Sequence, residues 1–301
     1  MYRAHLDFHI SFANGGHLDG EGFRLDVPRR DVSREEVAAL LVRHLGLAVV
    51  GSVDFSHFTI VEEAHKGSRG VEAARPAGRT VVDLSHPIRA GLVTYPGLPV
   101  PIIEPFLTRE ASSDRYAPGT EFAMDVITLI GNTGTYLDSP WHRYVDGADL
   151  AGLALSTLVG LRAEVFHLSD AWGPERRGIG ALAFADRDVR GAAVLIHTGW
   201  DRHFGSPAYA TGAPFLAADA VHALIDSGAA LVGIDSLNID DTESGGERPA
   251  HSGLLAAGIH VVEHLTRLGD VPAQGAEFTA APPAVEGFGT FPVRAFALVT
   301  P

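Results

Sequence analysis

The sequence predicts an α/β protein, with a sheet flanked by helices, preceded by a small α+β module. Three features point that way. "AHLDFHISF" (4–12) alternates apolar and polar residues, the period of a half-buried strand. "AAVLIHTG" (192–199), "AALVGIDS" (229–236) and "RAFALVT" (294–300) are short apolar runs bounded by turn residues, the pattern of buried strands. Between and after these runs, 217–227 and 252–268 read as helix candidates.

In chain order, Ala4, Leu6, Phe8, Ile10 and Phe12 share one face of the first strand, and His5, Asp7, His9 and Ser11 share the other. A His-x-Asp-x-His strand can bind metal, but three polar residues on a solvent face are the commoner outcome. "ANGG" (13–16) supplies the positive φ angles of a hairpin turn, and "GFRLDVP" (22–28) returns as the second strand. Ser33 and Glu36 form a capping box that opens a helix over "REEVAALLVRHLG" (34–46). "AVVGSVDFSHFTIVEEA" (48–64) follows as one or two strands. The module covers 1–66 and a linker rich in Gly, Pro and Arg covers 67–79. "TVVDLSHPI" then starts the α/β domain of residues 80–301. Within 252–268, Gly258 falls near a helix end and "IHVVEHL" reads as the next element.

The chain has 301 residues, 46% hydrophobic and 20% charged, so it can bury a sizeable core and is not disordered. Its formal net charge of −14 argues against nucleic acid or an anionic membrane as partner. The absence of cysteine excludes disulfides and thiolate metal sites. No apolar run approaches the ~18 residues of a membrane span, and the start lacks the apolar core of a signal peptide. A cytoplasmic protein acting on a small molecule is the expectation.

"IGNTGTYLDSPWHRYVDG" (130–147) gathers Asn132, Thr133, Thr135, Tyr136, Asp138 and His142 between backbone-fixing Gly134 and Pro140. Alone, its Gly-Thr and Ser-Pro pairs read equally well as turn chemistry. Downstream, His251 and Glu263 stand twelve residues apart. His260 and His264 flank Glu263 and are expected at the surface. His197 is expected to make a core hydrogen bond. Tyr95, Trp141, Trp200 and Phe288 are core or interface by default, although a site for an aromatic substrate would recruit some of them.

"VVDLSHPIRAGLVTYPGLP" (81–99) followed by "NTGTYLDSPWH" (132–142) resembles the cyclase family, which includes bacterial kynurenine formamidases and isatin hydrolases. That family's pattern is His-x-Gly-Thr-His-x-Asp-x-Pro-x-His. "TGWDRHF" (198–204), "GIDSLNID" (233–240), "HSGLLAAGIHVVEHL" (251–265) and "FPVRAFALV" (291–299) are similar to its later segments, in the same order. The resemblance covers about 80–301 and implies a mixed sheet. It implies Asp138, His251 and Glu263 as metal ligands and His142 as the acid/base. It further implies a homodimer or homotetramer, to which the edge of the N-terminal strand adds a pairing surface. That module is expected to extend an interface or to lid the site.

Two positions depart from the pattern: Asn132 and Tyr136 stand where the family has histidines. An amide oxygen is a weak neutral ligand, and a Tyr must ionise from ~10 to bind metal well. Two site readings therefore stand. In one, a single divalent ion (Zn or Mn) activates water to hydrolyse a cyclic or aryl amide while His142 moves the proton. In the other, no cofactor is bound, and His142, Asp138 and Tyr136 perform cyclisation or dehydration in secondary metabolism, a lyase-type reaction. Asn132, Thr135, Tyr95, Trp141 and Trp200 are the candidate substrate contacts. A non-catalytic scaffold relative is a third class, which the retention of Asp138, His142, His251 and Glu263 argues against.

Overall fold

The structure is a computed structural model that describes residues 2–62 and 78–300. It contains two compact units, Met1–Arg75 and Pro76–Pro301. Residues 67–77 of the expected linker lie outside the described residues.

The first unit contains β1 (Tyr2–Phe12), β2 (His17–Val27), α1 (Arg34–His44) and β3 (Val50–Glu62). β1 pairs antiparallel with both neighbours, giving the order β2-β1-β3. Ala4, Leu6, Phe8 and Ile10 of β1 are buried with Val37 and Leu41 of α1, as the alternation requires. The capping box forms: the Glu36 N–H donates to Ser33 Oγ, and the Ser33 N–H donates to Glu36 Oε2. β2 begins five residues before the expected "GFRLDVP". Gly20 sits opposite Phe8, where a Cβ would lie 2.4 Å from the ring, so the pairing tolerates the glycines of "LDGEGF". On the polar face, His9 Nδ1 pairs with Asp19 Oδ1 at 2.6 Å.

The second unit begins with β4 (Thr80–Asp83), β5 (Ile102–Leu107), the one-turn α2 (Arg109–Ser113), β6 (Met124–Thr128) and β7 (Tyr136–Asp138). It continues with β8 (Leu161–His167), β9 (Gly178–Ile179), β10 (Ala193–His197), β11 (Phe215–Leu216), α3 (Ala218–Asp226) and β12 (Leu231–Ile234). It ends with α4 (Pro249–Ala256), β13 (His260–Glu263), β14 (Ala276–Thr279), β15 (Thr290–Pro292) and β16 (Phe296–Val299). Nine strands form one mixed sheet in the order β15-β7-β13-β12-β10-β8-β14-β16-β4. Its centre, β8-β10-β12-β13, is parallel, and antiparallel strands extend both sides.

Both faces of the centre are covered, which is why its strands read as unbroken apolar runs. Leu195, Leu231 and Val262 enter one core with Leu137 and Phe278. Val194, Ile196, Val232 and Val261 enter the other. That second core is roofed by α3, through Val221 and Leu224, and by α4, through Leu254 and Leu255. Among the described residues, no helix is long and apolar enough to cross a membrane.

The helix candidate over 252–268 is shortened at its end, while the expected helix end near Gly258 and the new element over "IHVVEHL" are found. The helix starts three residues earlier, with Pro249 in its first turn, and stops at Ala256. Gly258 then takes φ +73°, a left-handed conformation that reverses the chain into β13. The second half of the segment is therefore strand, as the Val261-Val262 pair favours.

Candidate metal and catalytic site

β7 is three residues long and wedged between β13 and β15. Its alternation sends Leu137 into the core and turns Tyr136 and Asp138 to the opposite face. Antiparallel register sets Glu263 opposite Tyr136 and Val261 opposite Asp138. Glu263 is the last residue of β13, at the carboxyl end of the parallel block, where ligand sites of open α/β sheets form. The chain after β12 bends across the same end and brings in Asn238 and Asp240. Asp235 anchors that bend by accepting from the Thr198 N–H, the Thr198 hydroxyl and the Gly199 N–H. Burial pushes its carboxyl up to about 7 despite those donors.

Asp138, His251 and Glu263 converge, with ligand atoms within 4.8 Å of one another and all three side chains buried. His251 Nε2 lies 3.4 Å from Asp138 Oδ2 and 3.7 Å from Glu263 Oε1. His251 projects from α4, and its other nitrogen is fixed by Asp240, with Nδ1 2.6 Å from Oδ2. Asp240 also accepts from the Ala250 and His251 N–H groups, so one carboxylate caps the helix and sets the tautomer that aims Nε2 at the two acids. Glu263 accepts from the Ile239 N–H, from Asn238 and from the Tyr136 hydroxyl.

Neither oxygen of Asp138 has a hydrogen-bond partner although the residue is fully buried. An anionic group in that state costs several kcal/mol unless a cation satisfies it. One imidazole nitrogen and two carboxylates form a donor set suited to Zn or Mn. The residues therefore fit a divalent ion.

The electrostatics agree with that fit. Burial and the Asp138 charge raise Glu263 to about 7, against the opposing charge of His251. Burial alone would depress His251, but the Glu263, Asp138 and Asp240 carboxylates outweigh it and hold the ring well above its usual value. The three-carboxylate environment thus calls for positive charge at Nε2, which a proton or a metal ion can supply. Burial, Glu263 and Asp138 push the Tyr136 phenol far up, so it is a neutral donor. Its hydroxyl hydrogen is committed to Glu263 and is not free to donate to a substrate oxyanion.

A cavity of about 720 Å³ opens on this cluster, lined by Asn132, Tyr136, His142, His251 and Glu263, with Tyr95, Leu98 and Ile130 as an apolar wall. His142 sits one turn beyond Asp138, its Nε2 4.0 Å from Asp138 Oδ1. Gly289 presses on the backbone there: a Cβ would meet the His142 nitrogen at 2.7 Å.

Of the expected substrate contacts, Tyr95 and Asn132 line the cavity and three residues do not. Thr135 is buried, donating to the His264 carbonyl and accepting the His86 N–H. Trp200 is packed behind the site with Tyr209, its indole N–H donating to the Tyr209 carbonyl. Trp141 is exposed outside the cavity wall. The surface roles expected for His260 and His264 are corrected, since both are buried. His264 takes φ +54°, so strand alternation ends at Glu263; its Nδ1 lies 2.8 Å from the Tyr209 hydroxyl. His260 lies 3.0 Å from the Thr157 hydroxyl. His197 sits half-buried at a strand end with Nδ1 2.9 Å from that of His167.

Sequence reasoning passed over Asp240, Asn238, Arg143 and Arg248. The two polar residues of "LNID" after an apolar run were a usable signal for the first pair. The arginines had none.

The family model for cyclases matches residues 82–241. Kynurenine formamidase of Geobacillus thermodenitrificans is 34% identical over 172 residues, covering 56% of this chain and 77% of that protein. The enzyme of the same name from Paracidovorax citrulli is 28% identical over 229 residues, covering 72% and 95%. A solved structure described as a potential metal-dependent hydrolase with cyclase activity superposes with a TM-score of 0.59 at 28% identity, covering 74% of this chain and 99% of that one. An isatin hydrolase bound to thioisatinate gives 0.64 at 22%, covering 74% and 94%, a likeness of fold. On the match of family model, sequence and fold, the chain belongs to the cyclase family.

Proposed function

We propose that the protein is a metal-dependent hydrolase of the amide bond in a cyclic or aryl amide, with His142 as the acid/base group. The observation that carries this reading is the Asp138 carboxylate, buried, without a hydrogen bond and facing His251 and Glu263. The kynurenine formamidases similar to this chain support the choice of bond.

Asp138, Glu263 and Nε2 of His251 would hold one divalent ion, which when bound supplies Lewis-acid polarisation of a carbonyl and makes nearby water more acidic. Asp240 holds His251 in the tautomer that leaves Nε2 free. Tyr136, Ile239 and Asn238 fix the Glu263 carboxylate. His142, at the cavity wall, takes a proton from the attacking water and returns one to the leaving nitrogen. Water thus adds to the acyl carbon, the C–N bond breaks, and the products are a carboxylic acid and an amine. Tyr95, Leu98 and Ile130 offer the apolar surface that an aryl group needs.

The test is formate release from an aryl formamide of the kynurenine type, and ring opening of a cyclic aryl amide, by protein stripped with chelator and then given Zn²⁺ or Mn²⁺. Turnover restored by metal supports the reading. Equal turnover with and without chelator would exclude it.

A further inference from the structure

We infer that the substrate carries a carboxylate in addition to its amide, and that Arg143 and Arg248 bind it. This rests on the hydrolase reading for the bond cleaved, but the anion site stands on its own observations. Arg143 and Arg248 both line the cavity of the candidate site. The protein has a net charge of −14, so an arginine without an acidic partner has many acids to choose from. The neighbouring Arg177 shows the ordinary outcome, pairing with Asp241 at 3.0 Å and Glu243 at 3.4 Å.

The two cavity arginines are held differently. Arg248 donates through Nη1 to the main-chain carbonyls of Asp241 and Glu247, at 3.1 and 2.7 Å. Arg143 donates through Nε to the Ser252 hydroxyl at 3.3 Å, and its guanidinium lies 5.2 Å from the Tyr144 ring centre. Neutral acceptors thus position both groups, and among the described residues neither makes an ion pair. Arg248 keeps Nη2 and Nε, and Arg143 keeps both terminal nitrogens, for a further acceptor. Glu247 also lines the cavity, yet it meets Arg248 through its main-chain oxygen rather than its carboxylate.

Both arginines meet the start of α4, Arg248 as the residue before it and Arg143 through Ser252; His251 lies between these contacts. An anion bound there shares the cavity with His251 and Glu263 of the proposed reacting centre. A guanidinium fork matches a carboxylate in shape as well as charge.

The experiment compares two matched probes, formanilide and 2-formamidobenzoate, on the metal-loaded protein and on Arg143→Met and Arg248→Met. The expected result is a kcat/KM at least about tenfold higher for the carboxylate probe, carried by KM. Each substitution should lower that preference by about tenfold or more, the usual size of one charge-assisted hydrogen bond. Calorimetric binding of 2-aminobenzoate against aniline reads the anion site without turnover. If neither formamide is cleaved but 2-aminobenzoate binds, and binds about tenfold more weakly to Arg248→Met, the hydrolase reading fails and the anion site survives. Equal kcat/KM for the two formamides, or equal affinity for the two amines, overturns the anion site. Arg248→Lys keeps the charge without the fork, so loss of preference there, with an unchanged melting temperature, separates recognition from misfolding.

Discussion

Glu263 and Tyr136 face each other across β13 and β7, and the Tyr136 hydroxyl donates its hydrogen to the Glu263 carboxylate. The phenol stands where the family pattern has a histidine. In effect a hydroxyl donor that orients the candidate ligand Glu263 stands in that position. Tyr136→Phe should remove one buried hydrogen bond to an acid and destabilise the metal-free protein by about 1.5–3 kcal/mol in urea titrations. Tyr136→His should instead place an imidazole beside Asp138 and tighten Zn²⁺ or Mn²⁺ binding by about tenfold, read by calorimetry on stripped protein. No gain would show that this face of β7 does not meet the ion.

Asp240 joins α4 to the candidate metal site by capping the helix and fixing His251. Asp240→Asn should weaken metal affinity by about 10–100-fold, the usual effect of losing such an outer partner. It should also lower stability by about 1 kcal/mol through the weakened cap. Unchanged affinity with a lowered melting temperature would reduce Asp240 to a cap alone.

Among the described residues the His142 imidazole makes no hydrogen bond, its Nε2 standing 4.0 Å from Asp138 Oδ1, and it lies at the cavity wall. His142→Gln should reduce turnover by about 10²–10⁴ while the melting temperature stays near wild type. Wild-type turnover would remove His142 from the mechanism.

His260 is buried, and that burial lowers its pKa to about 4. Below about 6.5 the unfolded chain takes up a proton at this residue and the folded chain does not. Stability therefore falls as pH drops from about 6.5 towards 4, by up to roughly 3 kcal/mol, and is fully present above 6.5. His260→Gln, which can still meet the Thr157 hydroxyl, should flatten that part of the pH–stability curve. An unaltered curve would mean that His260 titrates normally in the folded state.

The β5–β6 ribbon exposes Ile102, Ile103, Phe106, Val126 and Ile127. An isolated two-stranded ribbon with so much apolar surface is stable only when something covers it. A homodimer or homotetramer is the proposed cover. Light scattering at micromolar concentration should give at least twice the 31.8 kDa chain mass; a clean monomer would rule it out.

The sequence by itself determined the elements whose signals are local. The alternation of "AHLDFHISF", the Ser33–Glu36 box and the apolar runs that became β10, β12 and β16 need only neighbours a few residues away. The ordered motifs carried the family and the mixed sheet. What the tertiary structure decided concerns long-range register. Tyr136 and Glu263 are 127 residues apart, and only the pairing of β7 with β13 makes them partners. Asp240 reaches His251 because the segment after β12 folds back onto the start of α4, where the Ala250 and His251 N–H groups donate to it, a contact that no local spacing signals. His264 read as a surface residue because alternation was carried one position too far, past a left-handed backbone that no local signal marks. Thr135 lies next to Tyr136 in sequence, and Trp200 stands in the quoted "TGWDRHF" segment, yet both turn into the interior, because side-chain direction follows from which strands pair and which faces they cover.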